Sequence, residues 1–188
     1  MDIIKVIKER RSIRKYKKDA VPDEIVADII DAARVAPSWA NTQVCQYIVI
    51  KNQKIKELLS ETLIPATNPA RAAVVDAPVI ICLFAKRGVS GFFKGTPSTD
   101  KEGYWFMFDA GIAMEHIVLA TWSFGLGTVH VGNFDAKKAE GVLNIPEGFS
   151  MVGITPLGYF DEIPKQPSRK KLEEITHLDS FGQPFLKS

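Results

Sequence analysis

The sequence predicts one α+β or α/β domain, and three observations carry that prediction. Extended segments alternate with helical ones, but they are few and long helical stretches separate them. The length, 188 residues, suits a single domain, taken here as residues 1–188 with a distinct tail from 161 to 188. Hydrophobic residues make up 46% of the chain, enough to bury a sizeable core.

The elements follow in order. "DIIKVIKER" places Ile3, Ile4, Val6 and Ile7 close to one helical face. "PDEIVADIIDAARVA" is an amphipathic helix opened by Pro22, with Asp23 and Glu24 in the first turn where the helix dipole favours acids. It ends before Pro37, and "PSWANTQ" is a polar loop. "VCQYIVIK" reads as a strand and "NQKIKELLSETL" as a short helix. "APVIICLFA" is a continuous apolar run rich in β-branched residues, the pattern of a central strand. Residues 86–100, rich in Gly, Ser and Thr, are expected as a mobile loop. "DKEGYWFMFDAGIAMEHIVLATWSFG" is apolar on most faces, so a buried core helix is expected. "GTVHVG" is a strand, "DAKKAEGVL" a helix and "MVGITPLGYF" the last strand. The tail from Asp161 holds Pro164, Pro167 and Pro184, and its one periodic segment is "SRKKLEEI".

Charge and cysteines exclude some classes. The net charge is only +2, which argues against a dedicated nucleic-acid binder. No apolar stretch approaches a membrane span, and no signal-peptide h-region opens the chain. Cys45 and Cys82 sit in apolar runs without metal-ligand spacing, as reduced core cysteines of a cytoplasmic protein would. No metal site is expected. Phosphate-loop, dinucleotide-fingerprint and G-x-S-x-G motifs are absent. His116, His130 and His177 are far apart, and no nucleophile–base pair emerges. If the chain is an enzyme, a cofactor performs the chemistry and no side chain need be catalytic.

Two stretches remain. From Lys5 to Lys18 the chain carries eight basic residues and one acid, Glu9. Arg10, Arg11, Ser12 and Arg14 are spaced to converge on an anion, since arginine forks bind phosphate oxygens in pairs. A solvated basic loop or a polyanion-binding patch would read the same way. "APSWANTQ" offers Ser38, Asn41, Thr42 and Gln43, whose donors and acceptors suit a ring edge alternating C=O and N–H, or serve as turn and helix caps.

Taken with "DAPVIICLFA", "DAGIAMEHIVLAT", "GLGTVHVGNFD", "IPEGFSMVGITPLGY" and "SRKKLEEI", these stretches resemble, in order and over nearly the whole chain, the FMN-dependent nitroreductase family. The resemblance implies an α+β fold with an antiparallel-rich central sheet flanked by helices. It also implies an intertwined homodimer with exchanged C-terminal tails and FMN at the interface. It assigns Arg10, Arg11 and Ser12 to the phosphate end of FMN, and Arg14 to the N1–O2 edge, where a cation stabilises the reduced ring. Pro37, Ser38, Asn41 and Gln43 become flavin-ring contacts, partly given from the second subunit. Trp39 and Ala40 stand where the family has small residues. His130, Val131 and Gly132 would act through backbone N–H groups near N5 and O4, with the His130 imidazole not needed. Arg169, with Lys170 beside it, would return to the phosphate, and Asn68 lies near a ring-contact position.

The implied reaction is ping-pong. NAD(P)H reduces FMN, then a small aromatic acceptor, nitroaromatic or quinone, stacks on the same face. Residues 86–100 with Phe92 and Phe93, and then Tyr104 and Trp105, would wall the pocket, with core filling the alternative for the last two. Other reactions of the fold (dehalogenation, flavin fragmentation, dehydrogenation) and a non-catalytic FMN-binding protein remain open.

Overall fold

The computed structural model describes residues 2–186. Its centre is a four-stranded antiparallel sheet in the order β1–β2–β6–β5, formed by β1 (Cys45–Ile50), β2 (Val79–Lys86), β5 (Gly127–Thr128) and β6 (Phe149–Gly158). β2 is the expected central strand, paired with β1 on one side and β6 on the other. Its side chains alternate between two faces. Ile80, Cys82 and Phe84 enter one core, with Leu59, Val74 and Ile154. Val79 and Ile81 enter another with Ile29, Ile117 and Leu157. Both faces are covered, which is why the strand reads as an unbroken apolar run.

Helices supply those covers. α2 (Asp23–Arg34) buries Val26, Ile29 and Ala33, the stripe expected of its amphipathic pattern. α5 (Trp105–Ser123) packs beside it and buries Ala110, Ala113, Ile117 and Thr121. On the opposite face lie α3 (Gln53–Ser60), α4 (Ala70–Asp76) and α6 (Ala136–Val142). The side chain of Asn52 caps α3, and that of Asp135 caps α6. No helix among the described residues is long and apolar enough to cross a membrane.

Several expectations are corrected. α4 was not anticipated in "ARAAVVD". Residues 86–100 contain a hairpin, β3 (Phe92–Phe93) paired with β4 (Thr96–Pro97). Its two-residue turn has φ 49° at Lys94 and 80° at Gly95, the positive pair that tight hairpins require. The strand expected across "GTVHVG" shrinks to Gly127–Thr128, with Val131 pairing alone with Ile154. α5 is buried on one side only: Phe108 is 61% and Met107 46% exposed. The same is true of α1 (Ile3–Glu9), where Val6 is buried while Ile3, Ile4 and Ile7 are not. A helix apolar around its circumference needs cover on every side, and a single chain covers only one of them.

The basic loop leaves α1 and docks on β5. Ser12 bridges Thr128, and the Ile13 N–H donates to Thr128 O at 3.0 Å. Ile13 is buried directly over Gly127, where a Cβ would lie 2.4 Å from Ile13 Cγ1. Only glycine admits that approach.

Candidate functional site: a basic cradle and a polar loop

Arg10, Arg11, Ser12 and Arg14 border a cavity of about 270 Å³, and the tail returns Lys165 and Arg169 to its rim. The four arginines differ in what they already hold. Arg11 Nη1 donates to the carbonyls of Lys8, Glu9 and Arg10 at 2.8–2.9 Å, closing the last turn of α1. Its Nη2 donates to Gln166 Oε1 at 2.8 Å and so tethers the tail. The other three make only long contacts. Arg10 Nε lies 3.9 Å from Glu115 Oε1, and Arg14 Nη1 lies 3.5 Å from Ser12 O. Arg169 Nη1 lies 3.4 Å from the carbonyls of Pro167 and Ser168. Arg10, Arg14, Arg169 and Lys165 therefore present concentrated positive charge with donor capacity to spare, as a phosphate requires.

Tyr16, which the sequence pattern did not single out, braces the loop. Its hydroxyl lies 2.7 Å from Ile13 O and 3.2 Å from Pro156 O on β6. Burial pushes its phenol pKa well above the ordinary value, with Arg14 opposing weakly.

The 37–43 loop lines a different, smaller cavity of about 110 Å³ with Pro37, Ser38 and Gln43, against Cys45 and Asp109. Its residues do not border the basic cavity, so one chain does not bring the two halves together. A short 3-10 turn, Trp39–Asn41, shapes the loop. Ala40, Asn41 and Gln43 adopt φ of 44°, 56° and 49°. Such a run of left-handed residues must be held by its surroundings. Ser38 Oγ accepts the Gln43 N–H at 2.9 Å, the loop-cap role its residue type allowed. The Asn41 side chain is exposed. Asp109 Oδ1 accepts the Trp39 N–H at 3.1 Å, and Trp39 packs edge-on against Trp105 with ring centroids 5.1 Å apart. Burial, and secondarily Asp109, push the Cys45 thiol up to about 11, so it remains a thiol at neutral pH.

The third segment places Val131 in the core, its N–H and C=O both taken by Ile154. Gly132 is exposed, and a Cβ there would meet nothing within 4 Å. The His130 imidazole is more engaged than expected: Nδ1 lies 2.8 Å from Thr155 Oγ1 and Nε2 3.0 Å from Met114 O. It pins α5 to β6. Burial lowers its pKa below 6.5, the Met114 carbonyl opposes this, and Arg10 adds slightly to it. The folded state therefore binds the His130 proton less readily than the unfolded state does. Its contribution to stability is full above about 6.5 and is lost as the pH falls from there towards the lowered folded value. Wild type is expected to lose stability through that window, by up to ~1.4 kcal/mol per pH unit, more than His130→Gln, which keeps the donor to Met114 O but does not titrate. Urea melts at stepped pH check this, and identical slopes would refute it.

Asn68 is turned onto its own backbone, donating to Ile64 O and accepting from Ala70 N–H. Lys170 is exposed. His116 Nδ1 sits 2.9 Å from Ala32 O, between α5 and α2, as a packed histidine.

Comparison with known proteins agrees with this architecture. The Nitroreductase family model matches residues 7–159. A candidate NADH dehydrogenase/NAD(P)H nitroreductase of Methanothermobacter thermautotrophicus is 35% identical over 168 residues, covering 87% of this chain and 80% of that protein. Among solved structures, a nitroreductase family protein of Clostridium novyi NT superposes with a TM-score of 0.76 at 32% identity, covering 98% of this chain and 97% of its own. An FMN-dependent nitroreductase of Clostridium difficile R20291 gives 0.77 at 26%, covering 95% and 99%. The chain belongs to the nitroreductase family. Its α+β fold, with an antiparallel sheet between helices, is the nitroreductase fold, and its class is oxidoreductase.

Proposed function

We propose that this chain binds FMN, takes reducing equivalents from NAD(P)H and delivers them to nitroaromatic or quinone-type acceptors in a ping-pong cycle, as a homodimer in the cytoplasm. The observation that carries the reading is the division among the arginines. Arg11 is committed to carbonyls, while Arg10, Arg14 and Arg169 keep only long contacts around a cavity of about 270 Å³. That donor set fits a phosphate monoester.

Bound FMN would supply the hydride-accepting and hydride-donating centre that no side chain of this protein provides. Arg10, Ser12 and Arg169, with Arg11 at the cavity edge, hold the phosphate end. Arg14 places a cation where negative charge gathers on reduction. Pro37, Ser38, Asn41 and Gln43 address the ring, and Ser38 does so by fixing the loop through Gln43. Of the 130–132 segment, His130 and Gly132 form the remaining edge, with Gly132 leaving room for close approach. Val131, whose N–H and C=O are taken by Ile154, is corrected from a flavin contact to the residue that seats the segment on β6. Tyr104, Trp105 and Phe108 line a cavity of about 480 Å³ whose aromatic wall suits flat acceptors.

Assembly is supported by the apolar surface that one chain leaves open. It comprises Ile3, Ile4 and Ile7 on α1, Met107 and Phe108 on α5, and the tail side chains Ile163, Leu172, Ile175 and Phe181. A second copy also explains how the 37–43 loop reaches a basic cradle that it does not border within its own chain. Sedimentation equilibrium is expected at twice the 20.8 kDa chain mass. Steady-state rates with NADH and menadione varied together test the cycle. Parallel double-reciprocal lines are expected, and intersecting lines would exclude the ping-pong order.

A further inference from the structure

Among the described residues, Asp109 is a buried carboxyl side chain that joins two walls of the site. It lies early in α5 and is 1% exposed. Oδ1 accepts the Trp39 N–H at 3.1 Å, and Oδ2 accepts the Ser90 hydroxyl at 2.6 Å. Ser90 is equally buried and leads into the β3–β4 hairpin. The next residue, Gly91, has φ +78°, and a Cβ there would lie 2.6 Å from Trp105 Cβ, so the hairpin stem rests on the start of α5. The same turn of α5 carries Trp105, which meets Trp39 edge-on at 5.1 Å and Phe108 at 5.4 Å. One carboxyl group thus bridges the loop addressed to the flavin ring and the hairpin loop beside the acceptor cavity.

We infer that Asp109 and Ser90 are positioning residues that set Trp39 and the 86–100 loop in one register, coupling the flavin grip to the acceptor wall. The inference rests on the FMN and acceptor reading above. Neither side chain needs to touch a ligand: Asp109 holds the Trp39 backbone N–H, and Ser90 ties its own loop to the same carboxyl group. The left-handed run at Ala40 and Asn41 explains why the loop needs an anchor, because a strained conformation persists only when its surroundings over-determine it. The two bonds are not equivalent. Loss of the Ser90 bond frees the hairpin and leaves Trp39 anchored, whereas loss of Asp109 frees both.

Three variants separate the roles, with three readouts. These are the FMN dissociation constant of apoprotein by flavin fluorescence quenching, the near-UV circular dichroism of apoprotein at the Trp39–Trp105 contact, and the KM for menadione at saturating NADH. Ser90→Ala is expected to raise the menadione KM about tenfold and leave FMN affinity within about twofold, the effect of one buried hydrogen bond. Asp109→Leu is expected to weaken FMN binding and raise KM, each about tenfold or more, and to change the tryptophan dichroism. Asp109→Asn can accept from Trp39 N–H and donate to Ser90 Oγ, so it is expected to restore all three readouts to within a few-fold of wild type. A Ser90→Ala protein with unchanged KM would overturn the inference. So would an Asp109→Leu protein that only melts lower while binding and KM stay put. If Asp109→Leu does not fold, Ser90→Ala and Asp109→Asn still decide: an Asn variant with KM and FMN affinity both impaired tenfold or more overturns the inference. Wild-type apoprotein that takes up no FMN would overturn the cofactor reading and this inference with it, an outcome recognised because wild type itself fails.

Discussion

Replacing Arg10 and Arg169 together by alanine is expected to weaken FMN binding at least about 100-fold while changing riboflavin binding by less than about threefold. Charge-assisted hydrogen bonds contribute ~1.5–3 kcal/mol each, and two of them multiply to that factor. Both side chains reach the basic cavity and neither has a short internal contact to lose. The difference between the two flavins is the decisive quantity, because riboflavin lacks only the phosphate. Arg11→Ala should behave differently. Its guanidinium closes α1 and holds Gln166, so much of its loss is expected in thermal stability. Fluorescence titration with both flavins checks the assignment. Equal losses for FMN and riboflavin in the double variant would move the phosphate elsewhere.

Ile13→Ala is expected to cost ~2–4 kcal/mol of stability, among the larger single-site effects in the chain. Ile13 is 1% exposed and packs over Gly127, whose missing Cβ makes the space it occupies. Truncation would leave a void between the basic loop and β5 that the paired backbones, Ile13 N–H to Thr128 O, are too constrained to close. A lower urea midpoint with an unchanged slope is the expected result. FMN affinity should fall as well, because Ser12 and Arg14 flank the residue that seats the loop. A loss under about 1 kcal/mol would mean that the loop is not anchored there.

Legibility along this chain follows from how local each feature is. β2 was readable because burial on both faces leaves an uninterrupted apolar run. α2 was readable because its apolar stripe and acidic first turn obey helical spacing. α4 was not, since "ARAAVVD" is a short run of mostly small and β-branched residues, and the Asn68 side chain that accepts its first N–H stands one residue ahead of the Pro69 cap position. β5 was overread: β pairing there ends after two residues, and the Ser12 bridge takes its outer edge.

The site divided in the same manner. Clustered arginines announce an anion whatever the fold, but which of them remains available depends on partners such as Gln166, 155 positions away. Asp109 was invisible because its partners are 70 and 19 positions distant and an aspartate early in a helix is ordinary. The apolar circumference of α5 suggested burial, and the structure of one chain leaves Met107 and Phe108 open. Local spacing cannot tell a side covered by the chain's own core from one left open, and the proposed dimer would cover the open side.

The most direct test of the central proposal, a bound FMN reduced by NAD(P)H, is the visible spectrum of the purified protein before and after anaerobic NADH or NADPH. Flavin bands that bleach with the nucleotide and return on adding menadione are the expected result. A protein that stays colourless after incubation with FMN, or whose bound flavin neither nucleotide bleaches, would contradict it.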